Sequence, residues 1–248
     1  MSTFQQLQNI RLDRGAGAVA LIDPDTKYDK ILLSVINLIN ECDFDIIFVG
    51  GSLLSDNEFD RRLKYIKDNT NLPLIIFPGS SNQLSRHADA ILYLSLISGR
   101  NPKYLIGEHV KSAPLIYNLS IETIPTAYIL LDSGGVRSSV EVVSDTKPIP
   151  MEKHDIILAH ALAGEYLGKS FIFLESGSGA KRHAACEILS YIKPHLSIPI
   201  IVGGGIKSSE SADSLVKAGA DYIVTGTQIE YLPTSSELIK FTQAVHQA

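Results

Sequence analysis

The sequence predicts a single (β/α)8 barrel, and three observations carry that prediction. Eight short apolar runs recur along the 248 residues, nearly all followed by a helical pattern. Strands alternating with helices mean a parallel sheet, and runs that are apolar throughout rather than alternating mean strands buried on both faces. Most of the strand-to-helix loops carry Gly, Ser or Asp directly at the strand end, where barrel enzymes hold their active sites. An open, doubly wound sheet is the rival arrangement. The length matches one barrel of ~250 residues, and no linker-like or low-complexity segment divides residues 1–248 into two domains.

The first run is 17–23 (GAVALID), with a helix over 28–40 in which Ile31, Leu32, Val35, Leu38 and Ile39 recur at helical spacing. The second is 44–51 (FDIIFVGG), with a helix over 56–68. The third, 73–80 (PLIIFPGS), is followed only by a very short helix near 83–88. The fourth is 90–96, with a helix over 102–112. The fifth, 126–132 (TAYILLD), leads into one irregular segment, 133–151, before a helix over 153–167. The sixth is 170–176 (SFIFLES), with a helix over 180–192. The seventh and eighth, 198–205 (IPIIVGGG) and 222–227 (YIVTGT), are joined by a helix over 209–218, and a helix over 235–246 closes the chain.

Composition narrows the function classes. Hydrophobic residues make up 45% and charged residues 20%, as in a soluble globular enzyme. No apolar run reaches the ~20 residues of a membrane span, and the first residues lack the apolar core of a signal peptide. Cys42 and Cys186 read as reduced core residues of a cytoplasmic protein rather than a disulfide or zinc site. A net charge of −5 argues against a nucleic-acid partner, while leaving room for a local basic pocket.

The strand ends carry the chemistry. Gly204 and Gly205 end the seventh run, and Gly226 and Thr227 end the eighth. Bare backbone N–H groups there suit a phosphate, and these are the loops at which barrels bind one; singly, each also reads as a packing turn. The sixth run continues as Phe173, Leu174, Glu175, Ser176, Gly177, Ser178 and Gly179. Alternation puts Phe173 and Glu175 on one face and Leu174 on the other, so Glu175 points into the barrel mouth as a base or as half of an ion pair. The Ser-Gly-Ser-Gly loop is an anion cradle ahead of a helix. The first run ends in Asp23-Pro24-Asp25 and the second in Gly50-Gly51-Ser52. A carboxylate and a hydroxyl on adjacent strands are hard oxygen ligands suited to Mg2+ beside a ligand phosphate, although Asp23 or Asp25 also reads as a helix cap. Residues 78–81 line the mouth, and 132–137 form a mobile lid or a surface loop. His109 and His160 fall on helices and read as capping or packing groups, whereas His183 lies nearer an anion. No lysine ends a strand, which disfavours Schiff-base chemistry, and no paired-His metal motif is present.

LIDPD, VGGS, FLESGSGA, VGGGI and VTGT occur in that order, with NPKYLIGEH after the fourth run. Together they resemble the geranylgeranylglyceryl phosphate synthase family over almost the whole chain. The resemblance implies a barrel that joins a prenyl diphosphate, notably geranylgeranyl diphosphate, to the 3-hydroxyl of sn-glycerol 1-phosphate, releasing diphosphate with Mg2+. It implies Mg2+ at Asp23 and Ser52, and glycerol phosphate along Phe173 to Gly179, at Gly204 and Gly205, and at Gly226 and Thr227. Glu175 would orient or deprotonate the hydroxyl. It further implies a homo-oligomer, dimer or hexamer, and transient membrane association through the lipid product. Two departures stand out: Phe173 replaces a frequent Tyr, and Leu21 replaces a Lys found in some members, as in the LIDPD branch. Tyr104 stands where some relatives place a bulky aromatic that limits prenyl length. The prenyl tail needs an apolar trench, with Tyr93, Leu96, Ile97, Tyr104 and Tyr128 as candidate linings. A sugar-phosphate isomerase, lyase or synthase, or a non-catalytic phosphometabolite-binding barrel, shares the glycine-rich strand ends but needs neither the Asp23/Ser52 pair nor the trench.

Overall fold

Eight strands hydrogen-bond in parallel and close on themselves in a computed structural model that describes residues 1–226, 229 and 234–247. They are β1 (Gly17–Ile22), β2 (Ile46–Val49), β3 (Leu74–Ile76), β4 (Ala90–Leu96), β5 (Glu122–Asp132), β7 (Phe171–Glu175), β8 (Ile200–Gly203) and β9 (Tyr222–Thr225). Each pairs with the next, and β9 returns to β1 with Val19 opposite Val224. The sheet is therefore a closed barrel rather than an open sheet. Alternation sorts the strand residues into two cores. Val19, Phe48, Leu92, Phe171, Phe173 and Ile201 fill the barrel. Ala18, Ile47, Val49, Ile172, Leu174 and Val202 face the helices outside. Those helices are α2 (Leu32–Glu41), α3 (Phe59–Asp68), α4 (Glu108–Leu119), α6 (His154–Tyr166), α7 (Cys186–Ile192), α8 (Ser209–Lys217) and α9 (Ser235–His246). Among the described residues, no helix is long and apolar enough to cross a membrane.

Three departures from the sequence-based expectation matter. The first is α1 (Thr3–Arg14), an N-terminal helix in a stretch that is mostly polar. Ser2 caps it, its side chain accepting from Gln5 N. Phe4, Leu7 and Ile10 lie on its inner face and close the bottom of the barrel. The Phe4 ring meets Phe171 edge-on at 5.5 Å, and Tyr222 Oη donates to Leu7 O at 2.7 Å. The second is a missing element. Residues 83–88, expected as a short helix, form turns instead. Gln83 is fully buried there and bonds backward: its Nε2 donates to Gly51 O at 2.6 Å, and its Oε1 accepts from Gly79 N at 3.2 Å. Those bonds tie the segment to the neighbouring loop, and no helix stands between β3 and β4 in sequence. The third is the segment 133–151, which holds α5 (Ser139–Ser144), capped by Ser138, and a two-residue strand β6 (Ile149–Pro150) beside the end of β5.

The lower, N-terminal end is tied by carboxylates that precede strands. Asp45 accepts from Ala18 N, Asp89 from Leu74 N and Asp221 from Ile200 N, each at 2.7 Å. Each satisfies an N–H in the first two residues of a neighbouring strand, which would otherwise be buried unpaired. The opposite end is left to loops.

Candidate active site

The C-terminal rim of the barrel encloses one cavity of about 890 Å³, and the segments after all eight barrel strands contribute side chains or backbone to its lining. Glu175, the last residue of β7, lies in that end and is 7% exposed. Its Oε1 accepts from Gly177 N at 2.6 Å. Burial pushes its carboxyl up to about 7, against the opposing pull of that N–H. No cation bonds it, so the ion-pair role open to it in the sequence is not the one it adopts among the described residues. The room for this carboxyl is made by glycine. A Cβ on Gly203 would stand 2.9 Å from Glu175 Oε2, and one on Gly204 would strike Oε1 and lie 2.7 Å from Gly177 N. Gly204 also has φ of +82°, which a side chain would strain.

Gly177, Ser178, Gly179, Gly204, Gly205 and Gly226 all line the cavity. Their N–H groups are gathered at the tips of β7, β8 and β9, the geometry of an anion cradle. Other parts of the expected set lie elsewhere. Phe173 is fully buried in the barrel interior, stacked on Phe77 at 5.1 Å and tilted against Tyr128 at 5.4 Å, so it supports the site rather than lining it. Leu174 faces the outer core, and the Ser176 hydroxyl is buried off the cavity without a hydrogen-bond partner among the described residues. Thr227 lies outside the described residues. Tyr128, opposite Phe173 in register, brings a phenol to the cavity from the next strand. Burial, and then the Glu175 charge, hold that phenol protonated well above its ordinary range.

Across the rim, Asp23, Gly51 and Ser52 line the cavity together. A Cβ on Gly51 would stand 2.9 Å from Asp23 Oδ1, so the absent side chain leaves a hollow beside that carboxylate. Among the described residues no three His, Cys, Asp or Glu side chains cluster to hold a metal alone. One carboxylate, a hydroxyl and an adjoining hollow fit Mg2+, which takes one or two carboxylates and completes its shell with water and phosphate. Asp25 also lines the cavity, but its Oδ1 accepts from Lys27 N at 3.0 Å and caps the turn Thr26–Tyr28, the capping role considered for it.

The apolar end is a trench. Leu92, Leu94 and Leu96 on the inner face of β4 line it, and so do Ile91 and Tyr93 on the outer face. A single cavity can reach both faces of one strand only where the shell is open, and here the helix after β3 is missing. Leu84, Tyr104, His109 and Ser112 complete the walls. Tyr93 Oη donates to His109 O at 2.7 Å and pins the first turn of α4 to the strand. Of the expected linings, Tyr93, Leu96, Tyr104 and Tyr128 are there; Ile97 is not, because it packs outward in the helix shell against Gly164. His160 and His183 bond the backbone carbonyls of Ile156 and Ala184 and stand off the cavity. Ser138, Ser139, Val140 and Lys207 line it without having been singled out in the sequence. Of these only Lys207 had a visible signal, as the first cation after the triple glycine.

A carboxyl poised near neutrality beside an anion cradle, opening into a trench that suits only an apolar chain, is the work of a (β/α)8 barrel enzyme that joins a phosphorylated molecule to a hydrocarbon. The chain belongs to the PcrB family, whose model matches residues 9–244. It is 42% identical to a geranylgeranylglyceryl phosphate synthase of Chitinophaga pinensis, over 98% of this chain and 97% of the relative. It is 42% identical to one of Pyrococcus horikoshii, over 91% of this chain and 88% of the relative. The crystal structure of (S)-3-O-geranylgeranylglyceryl phosphate synthase from Thermoplasma acidophilum, in complex with its substrate sn-glycerol-1-phosphate, superposes with a TM-score of 0.94. It has 34% identity and full coverage of both chains.

Proposed function

We propose that this chain transfers a prenyl group, geranylgeranyl in the first instance, from its diphosphate to the 3-hydroxyl of sn-glycerol 1-phosphate. The observation that carries this is one cavity holding both a glycine-built anion cradle with Glu175 and an apolar trench along both faces of β4. The cradle at the tips of β7, β8 and β9 holds the phosphate of glycerol phosphate. Pinned there, the acceptor presents its far hydroxyl to Glu175, and the prenyl chain lies in the trench with its allylic carbon at the mouth. Such positioning is worth several kcal/mol of barrier. The glycerol oxygen bonds to the allylic carbon as the bond from that carbon to the diphosphate oxygen breaks. Glu175 takes the hydroxyl proton. A carboxyl at about 7 divides its population between acid and base at neutral pH, which suits a general base. Asp23 and Ser52 would hold Mg2+, which when bound neutralises charge on the departing diphosphate.

The reaction belongs to the cytoplasm, with the lipid product drawing the enzyme transiently to a membrane. A dimer or hexamer is supported by Ile106, Val110 and Tyr117, exposed by 58%, 66% and 84% along one side of α4 and the turn before it. Labelled sn-glycerol 1-phosphate, incubated with C15, C20 and C35 prenyl diphosphates, tests the reaction. A prenyl ether is expected with Mg2+ and absent both without it and with the sn-3 isomer. Binding of glycerol phosphate without product from any donor would return the chain to the sugar-phosphate or non-catalytic readings.

A further inference from the structure

Among the described residues Arg62 is the largest fully buried side chain, 2% exposed, and it lies outside the cavity. It projects from the first turn of α3 between two loops, the one after β1 and the one after β2. Its Nη1 donates to Pro24 O at 2.9 Å. Its Nε and Nη2 grip both oxygens of Asp29 at 2.6 and 3.0 Å. Its Nη1 and Nη2 grip both oxygens of Asp56 at 2.7 Å each, and Nη2 also reaches Thr26 Oγ1 at 3.3 Å. Thr26 Oγ1 in turn bonds Asp56, closing a ring across the two loops. Hydrogen bonding to Arg62 is the first cause holding the Asp29 and Asp56 carboxyls below their ordinary range.

Arg62 is buried while its partners Asp29 and Asp56 are partly exposed, and an ion network of this kind is weak evidence for stability. Where this one is attached is therefore the informative fact. Pro24 follows Asp23 directly and Thr26 is three residues on, while Asp56 lies four residues beyond Ser52 in the same loop. Between those anchors the two loops hold no regular structure beyond the single turn Thr26–Tyr28. A planar fork that engages both loops bidentately fixes their separation, which a point charge on a flexible stem does not.

We infer that Arg62 is a positioning residue for the Mg2+ pair, setting the spacing of Asp23 and Ser52 from outside the cavity. The inference rests on the metal role proposed above for those two residues. The test measures Mn2+ binding to the protein without added diphosphate, which would chelate the ion itself, by loss of the free-ion EPR signal, alongside calorimetric binding of sn-glycerol 1-phosphate. Arg62→Lys and Asp56→Asn should each weaken Mn2+ binding by about tenfold, the low end of what losing a hydrogen bond directly to a metal ligand costs, because the clamp holds the loops rather than the ligands themselves. Both should raise the Mg2+ needed for half-maximal turnover, while the glycerol phosphate Kd, set on the far side of the barrel, stays at the wild-type value. Unchanged Mn2+ binding in both variants would overturn the inference. So would parallel loss of Mn2+ and glycerol phosphate binding in Asp56→Asn, which keeps Arg62 and reads out the same clamp if Arg62→Lys fails to fold. Asp23→Ala separates the two levels. It should abolish Mn2+ binding, and if it does not, the metal reading itself falls, and the Arg62 inference with it.

Discussion

Glu175 shows how one residue can be placed by pattern and tuned only by environment. Its folded carboxyl stands at about 7, against 4.5 ordinarily, because it is buried with a single N–H to stabilise its charge. The native state therefore keeps a proton that the unfolded chain releases near pH 4.5. That proton favours the native state at low pH, and the advantage is lost as pH rises through 7, at a cost of roughly 3 kcal/mol at ~1.4 kcal/mol per unit. Glu175→Gln holds the same shape with no charge and can still accept from Gly177. Its melting temperature should exceed wild type at pH 8 and match it near pH 4.5. Its kcat should fall ~10²–10⁴-fold, with glycerol phosphate still bound. The wild-type rate should climb with pH through about 7, and that limb should vanish in the variant. A pH-independent wild-type rate from pH 5 to 9 would remove Glu175 from the proton transfer. The alternation of FIFLES was enough to aim Glu175 at the mouth. The same alternation could not show that Phe173 lies one layer below the cavity, since depth along a barrel axis depends on shear between strands rather than on local sequence.

At the scale of elements, the position of an acid along a strand separates structure from chemistry. Asp45, Asp89 and Asp221 precede their strands and spend their oxygens on neighbouring backbone N–H groups. Asp23 and Glu175 follow or end theirs and face the cavity. The strand-then-helix rhythm made that polarity legible, because it fixes which end of each run is the C-terminal rim. It did not reveal α1, whose polar face dominates its twelve residues and whose four apolar ones resemble scattered surface positions. Nor did it reveal that residues 83–88 form no helix, since Gln83 is bound to loops distant in sequence. The lower plug gives a prediction at this scale. Leu7 is 1% exposed against Phe171 and Tyr222 in the barrel floor. Leu7→Ala should cost about 3 kcal/mol in urea unfolding, within the usual range for a buried Leu→Ala change. Its kcat and KM should stay at wild-type values, because the lesion lies at the opposite end from the chemistry. A loss of activity as large as the loss of stability would mean that the floor and the rim are coupled through the strands.

The whole molecule is a barrel with one shell helix omitted, and the omission explains how a compact fold accommodates a long hydrocarbon. A helix between β3 and β4 would stand over the outer side of β4 and confine ligands to the rim. Here the cavity continues from the polar rim past the inner leucines of β4 to Ile91 and Tyr93 on its outer side. An apolar chain laid there is sheltered from water at about 25 cal/mol per Å² buried, which is the source of donor affinity in a trench lined mainly by apolar side chains. Read in sequence, ILYLSL is simply a strand with apolar side chains on both faces, and such a strand ordinarily belongs to a fully covered sheet. A trench with Tyr93, Leu96, Tyr104 and Tyr128 among its linings is expected from the resemblance, but its route onto the outer side of β4 depends on the absence of a helix after β3, which the local sequence does not show. Leu84, which lines the trench from the loop replacing that helix, tests this directly. Leu84→Trp should fill the outer part of the trench and lower kcat/KM for a C20 donor at least tenfold relative to a C10 donor. The sn-glycerol 1-phosphate Kd should remain unchanged, because the cradle lies across the rim on β7, β8 and β9. Equal loss for both donors would mean that the substitution disturbs the rim itself. No loss for either would mean that the tail leaves the barrel by another path, and that the open face of β4 serves a different purpose.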